Sequence, residues 1–117
     1  MVLNLSLISP KHIEMLEGVY QGKLANKYPI RLFIQRVHDD GSLQMYYWYQ
    51  KYKTPIELSG RYVKGKLNLY AQEYNKTKEK WIKTETFIGM LKNNLFIGRW
   101  KNLRNGHVSD FNLQVND

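Results

Sequence analysis

Cysteine is absent from this chain of 117 residues, which excludes disulfide frameworks, cysteine nucleophiles, iron–sulfur clusters and thiolate zinc sites. Long apolar runs are absent too. Segment 1–10 is interrupted by Asn4 and Ser6, and nothing in the chain approaches the ~20 apolar residues of a membrane-spanning helix. The sequence therefore predicts neither a signal peptide nor a membrane span, and we expect a cytoplasmic protein. A mature exported form that has lost its leader is the alternative, since a lack of cysteine fits both compartments.

The motifs of common catalytic and cofactor sites are missing as well. The histidines His12, His38 and His107 have no spacing typical of a metal site, and the sequence contains neither a dinucleotide-binding nor a phosphate-binding glycine motif. Glu73 and Glu85 could form an acid–base pair, but the sequence alone does not bring them together. We expect a non-catalytic protein that needs no metal and no cofactor.

Negative charge is scarce, because 10 Asp and Glu stand against 18 Lys and Arg and leave a net charge of +8. A field of this sign attracts acidic partners, whether nucleic acid, an anionic membrane or an acidic protein. The length corresponds to a single domain, over 1–117, that can build a hydrophobic core of its own.

Apolar residues alternate with polar ones from Gly18 onward, as expected of half-buried strands. Turn residues, such as the pair Asp40-Gly41, separate the alternating segments. A short helix precedes them, with Ser9 as its N-cap and Pro10 in its first turn. Strands of this length and spacing are typical of a sandwich or a barrel. We predict eight strands, over 18–25, 30–38, 42–52, 56–63, 66–74, 81–91, 95–101 and 108–115.

Glycine recurs two residues before a large side chain, in the segments 18–20, 60–62, 89–91 and 98–100. Glycine inside a strand weakens it unless the strand bends there or another backbone comes close. Closing a small sheet requires such bends. The repeats therefore favour a closed barrel over a sandwich.

A short N-terminal helix, a Gly-x-aromatic start to the first strand and an up-and-down meander together resemble the calycin group of lipocalins, fatty-acid-binding proteins and avidins. The segment 98–102 (GRWKN) is similar to avidin strand motifs. Tyr20 stands where lipocalins usually have tryptophan, and no long C-terminal helix follows the last strand. The resemblance implies an all-β fold, an eight-stranded antiparallel up-and-down barrel, with a ligand inside it. Small barrels can also be filled by their own side chains.

Polar side chains on the faces of the predicted strands form a candidate site for such a ligand. Glu73 continues the face of Leu67 and Ala71, and Arg99 continues that of Leu95 and Ile97. A buried carboxylate needs a partner, which Arg99 or Arg61 could supply. An ion pair at the barrel rim is the structural alternative to a ligand anchor. The candidate ligand-binding residues are Tyr20, Tyr62, Glu73, Glu85, Arg99 and Trp100.

Aromatic residues exceed what a small core needs, with three Trp and nine Tyr, and rings outside a core are typical anchors of protein interfaces. We therefore expect first a binding protein that recognises an acidic macromolecule, most simply an acidic protein, in the style of bacterial inhibitors and immunity proteins. The candidate partner-binding residues are Tyr46, Trp48, Lys51, Tyr52 and Lys53.

Two alternatives remain open. The first is a carrier that binds a small ligand in the barrel. The second is a single-stranded nucleic-acid binder, because rings are interleaved with lysines over 46–53 and a lysine cluster follows at 76–83. Lysines in a turn are usually only solvated, and those of this chain do not gather on one ring-lined face of the predicted strands, so the acidic protein is the preferred partner.

Overall fold

The computed structural model describes residues 17–115, all of whose regular elements are antiparallel strands. The eight strands confirm the all-β prediction, and their bounds differ from the predicted ones by three residues at most. The helix predicted at Ser9 and Pro10 lies outside the described residues. In the part of the chain that the structure describes, no helix could span a membrane. The strands are β1 Gly18–Leu24, β2 Tyr28–Val37, β3 Ser42–Tyr49, β4 Ile56–Val63, β5 Lys66–Asn75, β6 Lys80–Lys92, β7 Leu95–Asn102 and β8 Val108–Val115.

The sheet is a closed up-and-down barrel. Each strand pairs with its neighbours in sequence, and β1 also pairs with β8, so that Gly22 lies between Ile30 on one side and Leu113 on the other. Tight turns follow from residues that accept positive φ, as at Asn93 and Asn94 between β6 and β7. The closure predicted from the glycine repeats is confirmed.

Two of the repeated glycines face each other where β6 and β7 come closest. Gly89 pairs with Gly98, and a Cβ added to Gly98 would lie 2.1 Å from the carbonyl oxygen of Ile88 and 2.5 Å from the Cα of Gly89. No side chain fits between backbones at these distances. Glycine is required here by the close approach of the two strands, not by their dihedral angles.

The interior of the barrel is filled by side chains. Phe111 contacts Phe96 and Phe87 edge to face, with ring centroids 4.6 Å and 5.3 Å apart. Around these rings pack aliphatic residues from β1 to β5 and from β8, such as Ile30 and Leu69, both fully buried. A fully buried side chain of this size contributes about 1.5–3 kcal/mol. A ligand site must therefore lie at one end of the barrel or on its outer surface.

One end of the barrel, here called the mouth, is bounded by the connections 25–27, 50–55 and 103–107. At this end β5 and β6 continue past their neighbours, since β4 pairs with β5 only as far as Tyr70 and β7 pairs with β6 only from Glu85 onward. Residues 72–83 pair with each other alone and are here called the ribbon. A bulge between Ala71 and Gln72 separates the ribbon from the barrel wall.

Candidate functional site

Glu85 is the first residue of β6 that faces the barrel interior at the mouth. Its Oε1 accepts a hydrogen bond from the hydroxyl of Tyr47 on β3 and another, of 2.9 Å, from the indole N–H of Trp100 on β7. Tyr47 is only 1% exposed, whereas Glu85 and Trp100 are half-buried. No donor in residues 17–115 bonds the second carboxylate oxygen of Glu85. The carboxylate therefore fixes two aromatic side chains and keeps an acceptor of its own.

Electrostatics keep the phenols around this carboxylate protonated. Burial raises the pKa of Tyr47 far above its ordinary value, and the charge of Glu85 raises it further. Burial, and to a smaller extent the charge of Glu85, also raise the pKa of Tyr49. The ring of Tyr49 contacts that of Tyr47 edge to face, with centroids 5.9 Å apart. At neutral pH the phenol of Tyr47 is protonated and donates to the carboxylate of Glu85.

Next to this network, a cleft of about 500 Å³ opens at the mouth. Clefts of about 300–1,000 Å³ are typical of small-molecule sites. Lys51 lies at its rim, with Nζ 5.4 Å from the centroid of the Tyr52 ring. The cleft is lined by the rings of Tyr28, Tyr49, Tyr52, Trp100 and His107.

His107 and Ser109 line the same cleft, and Ser109 Oγ lies 3.0 Å from His107 Nε2. Such a pair resembles the serine and base of a nucleophilic site, which also needs a third group to orient the imidazole. In the structure the His107 ring packs edge to face on Trp100 at 6.2 Å, and no described carboxylate bonds it. The pair thus serves as part of the cleft wall.

Of the six candidate ligand-binding residues, only Glu85 and Trp100 meet at the mouth. Tyr20 and Tyr62 also point into the barrel but lie near each other at the end opposite the mouth; burial, with a smaller effect of Tyr62, raises the pKa of Tyr20 to about 12. Glu73 lies on the ribbon, where its Oε2 forms an exposed ion pair of 2.5 Å with Arg104. The sequence analysis expected a buried carboxylate at this position. Glu73 is exposed instead, because the barrel wall ends at the bulge before it.

Arg99 lies outside the barrel. The expected face of Leu95, Ile97 and Arg99 is reversed, because Phe96, Gly98 and Trp100 are the residues of β7 that point inward. A shift of one residue exchanges the two faces of a strand. Arg99 instead forms an exposed ion pair of 3.3 Å with Asp110, beside a hollow of about 640 Å³ on the outer wall.

The candidate partner-binding residues lie on two different surfaces. Tyr46 and Trp48 are half-buried on the outer wall of β3, where Trp48 pairs with Arg31 of β2. Lys51, Tyr52 and Lys53 belong to the exposed connection that follows β3. Since Lys51 and Tyr52 also line the mouth cleft, the two sites predicted separately from the sequence meet there.

Sequence reasoning missed four of the residues that build the site: Tyr28, Tyr47, Tyr49 and His107. For Tyr47 and Tyr49 a signal was present, because they continue the face of Met45, whereas the predicted surface used the other face of the same strand. Tyr28 and His107 stand in or beside turns. Their convergence depends on the closure of the barrel, which no local pattern encodes.

Residues 17–115 contain no cluster of three or more His, Asp or Glu side chains that could hold a metal ion. The sequence matches no known protein-family model, and a search of curated proteins finds no relative. The geometry of the mouth is the main guide to function.

Proposed function

We propose that this protein is a non-catalytic binding protein whose mouth cleft takes a small ligand with a flat ring and an acidic group. The observation that carries the proposal is the hydrogen bond between Trp100 and Glu85, beside a cleft walled by further rings. The bond holds the Trp100 ring in one orientation at the cleft wall, and such preorganisation favours binding of a rigid ligand.

The flat ring of the ligand follows from the walls of the cleft. The bond to Glu85 fixes the plane of the Trp100 indole, and Tyr49 is held by its contact with Tyr47. Fixed rings bury a large apolar area at little entropic cost and favour stacked or edge-on contacts with another ring. A ring of the ligand therefore packs between Trp100 and Tyr49.

The acidic group of the ligand follows from the charges around the cleft. Lys51 lies at the rim and Lys27 stands 5.3 Å from the ring centroid of Tyr28, which lines the cleft. Glu85, the opposing charge, lies behind Trp100 and already accepts two hydrogen bonds. A ligand with its ring inward and its acidic group at the lysines pairs its charge with theirs and keeps it away from the carboxylate of Glu85.

This arrangement modifies what the resemblance to lipocalins and avidins implies. In those families the ligand occupies the barrel, whereas Phe87, Phe96 and Phe111 fill the centre of this one. The proposed ligand sits less deeply, at the mouth. An acidic macromolecule remains the second candidate partner, and an outer surface of the barrel, described below, favours it.

Fluorescence titration with anilinonaphthalene sulfonate, an aromatic anion, tests the proposal. We expect saturable binding that weakens about tenfold in each of two variants. Tyr49→Ala loses a ring that contacts the ligand, and Trp100→Phe loses the hydrogen bond that orients its ring. Trp48→Phe and Tyr46→Ala on the outer wall are the matched controls. Equal affinities for all four variants would contradict a site at the mouth.

A further inference from the structure

Rings and cations alternate along the outer face of β5, β6 and the ribbon. Tyr74 and Trp81 meet edge to face with centroids 5.6 Å apart, and Lys83 places Nζ 4.4 Å from the ring centroid of Tyr70. Tyr74 is 50% and Trp81 61% exposed. The lysine cluster noted at 76–83 thus includes one lysine, Lys83, that lies over a ring on the strand wall.

The ribbon gives no core in which these rings could be buried. Residues 72–83 pair only with each other, and a two-stranded ribbon is marginal in water. The contact between Tyr74 and Trp81 stabilises it modestly. It also leaves one face of each ring open to solvent, and open rings of this size are typical of a binding surface.

A polar groove of about 480 Å³ adjoins the rings on the barrel wall. Arg61 and Lys83 line it, together with polar side chains such as Ser59 and Asn68, and no described carboxylate does. Asp40 adjoins the groove: its main-chain oxygen accepts a hydrogen bond of 3.0 Å from Arg61, and its carboxylate is also attracted by the charge of Arg61.

The charge of Asp40 is partly satisfied within its own turn. Its Oδ1 accepts hydrogen bonds from the N–H and the hydroxyl of Ser42, and these bonds, foremost that of the hydroxyl, lower its pKa. The groove therefore offers two cations and several neutral donors to an anion.

We infer that single-stranded nucleic acid binds this ring-and-groove surface, defined by Arg61, Tyr70, Lys83, Tyr74 and Trp81. Its phosphates lie against Arg61 and Lys83, and its bases stack on Tyr74 and Trp81. Cationic grooves combined with stacking rings are the usual means of binding single strands. An acidic protein would be expected to use an apolar pocket at the centre of its interface, whereas the lining of this groove is mostly polar.

Fluorescence anisotropy of a labelled oligothymidine of about 15 nucleotides tests the inference at about 50 mM salt. We expect binding by the full chain and a loss of about tenfold or more in the double variant Tyr74→Ala/Trp81→Ala, because two bases lose their stacking partners. The double variant Tyr46→Ala/Trp48→Ala removes the same two ring types from another wall and should bind like the unaltered protein.

A second variant keeps the test valid if removing the rings disturbs the ribbon. Arg61→Gln/Lys83→Gln leaves all rings in place and should lower the slope of log K against log salt by about 1.4, since each phosphate contact contributes about 0.7 for a single strand. The inference would be overturned if the oligothymidine did not bind at low salt, or if a duplex of the same length bound as tightly as the single strand. It would also be overturned if polyglutamate competed as well as unlabelled oligothymidine and the double variant Tyr74→Ala/Trp81→Ala bound like the unaltered protein.

Discussion

Trp100 on β7 donates its indole N–H to Oε1 of Glu85 on β6 across 2.9 Å, and Tyr47 on β3 donates its hydroxyl to the same oxygen. Since β4 and β5 lie between β3 and β6 in the sheet, the second bond crosses the barrel. One carboxylate thus connects opposite walls at the mouth and orients the ring that lines the cleft.

Replacing Glu85 by Ala should destabilise the protein by about 2–4 kcal/mol, because two donors lose their acceptor in a half-buried place. Glu85→Gln retains an acceptor and should cost about half as much. Urea unfolding measures both, and Glu57→Ala, an exposed position on the outer face of β4, is the control. A Glu85→Ala variant as stable as this control would show that the network contributes nothing.

Two adjacent tyrosines of β3 allow a matched comparison. Tyr47→Phe removes a buried hydroxyl from a charged acceptor and should cost about 1.5–3 kcal/mol, whereas Tyr46→Phe on the outer wall should cost less than about 0.5 kcal/mol. The free energies of unfolding of the two variants, measured in urea, give this difference. If they are equal, the face assigned to β3 is incorrect.

The order and bounds of the strands could be predicted because alternation and turn residues are local signals. The glycine repeats allowed closure to be predicted as well, since Gly89 and Gly98 stand where the approach of β6 and β7 admits no side chain. For β7, however, both faces carry apolar residues: Ile97 lies outside, 43% exposed, and Phe96 lies inside. Alternation alone could not choose between them, and Arg99 was assigned to the wrong face.

The site could be predicted only in part for a related reason. Glu85 and Trp100 were expected at a ligand site, and the pairing of the neighbouring strands β6 and β7 brings them together. The bulge before Gln72 ends the barrel wall and leaves Glu73 on the ribbon, and a bulge of this kind has no sequence signature here. The β3 segment has rings on both faces, so its inward pair could not be distinguished from its outward pair.

Gly98→Ala should prevent folding or cost more than about 3 kcal/mol, because its Cβ would overlap the carbonyl oxygen of Ile88. Gly106→Ala is a useful contrast. Its Cβ would meet nothing within 4 Å, and only its φ of +78° is unfavourable, so that about 1 kcal/mol is expected. Thermal unfolding of the two variants measures the difference, and similar melting temperatures would contradict the close approach of β6 and β7.

Alkaline pH should destabilise the protein through Tyr20. Its pKa is raised to about 12 in the folded protein from an ordinary value of 10.0, so the folded state holds the proton more tightly than the unfolded state. The stabilisation is complete below about pH 10 and is lost as the pH rises to about 12. In Tyr20→Phe the fall in unfolding free energy across this window should be smaller than in the control Tyr70→Phe. Parallel curves for the two variants would refute the assignment.

The indole N–H signals of the three tryptophans test the proposed ligand site most directly. Their proton–nitrogen NMR resonances can be assigned from Trp48→Phe, Trp81→Phe and Trp100→Phe. When anilinonaphthalene sulfonate is added, we expect the Trp100 resonance to shift in a saturable way, while those of Trp48 on the outer wall and Trp81 on the ribbon stay in place. A stationary Trp100 resonance, or equal shifts of all three, would contradict a ligand site at the mouth.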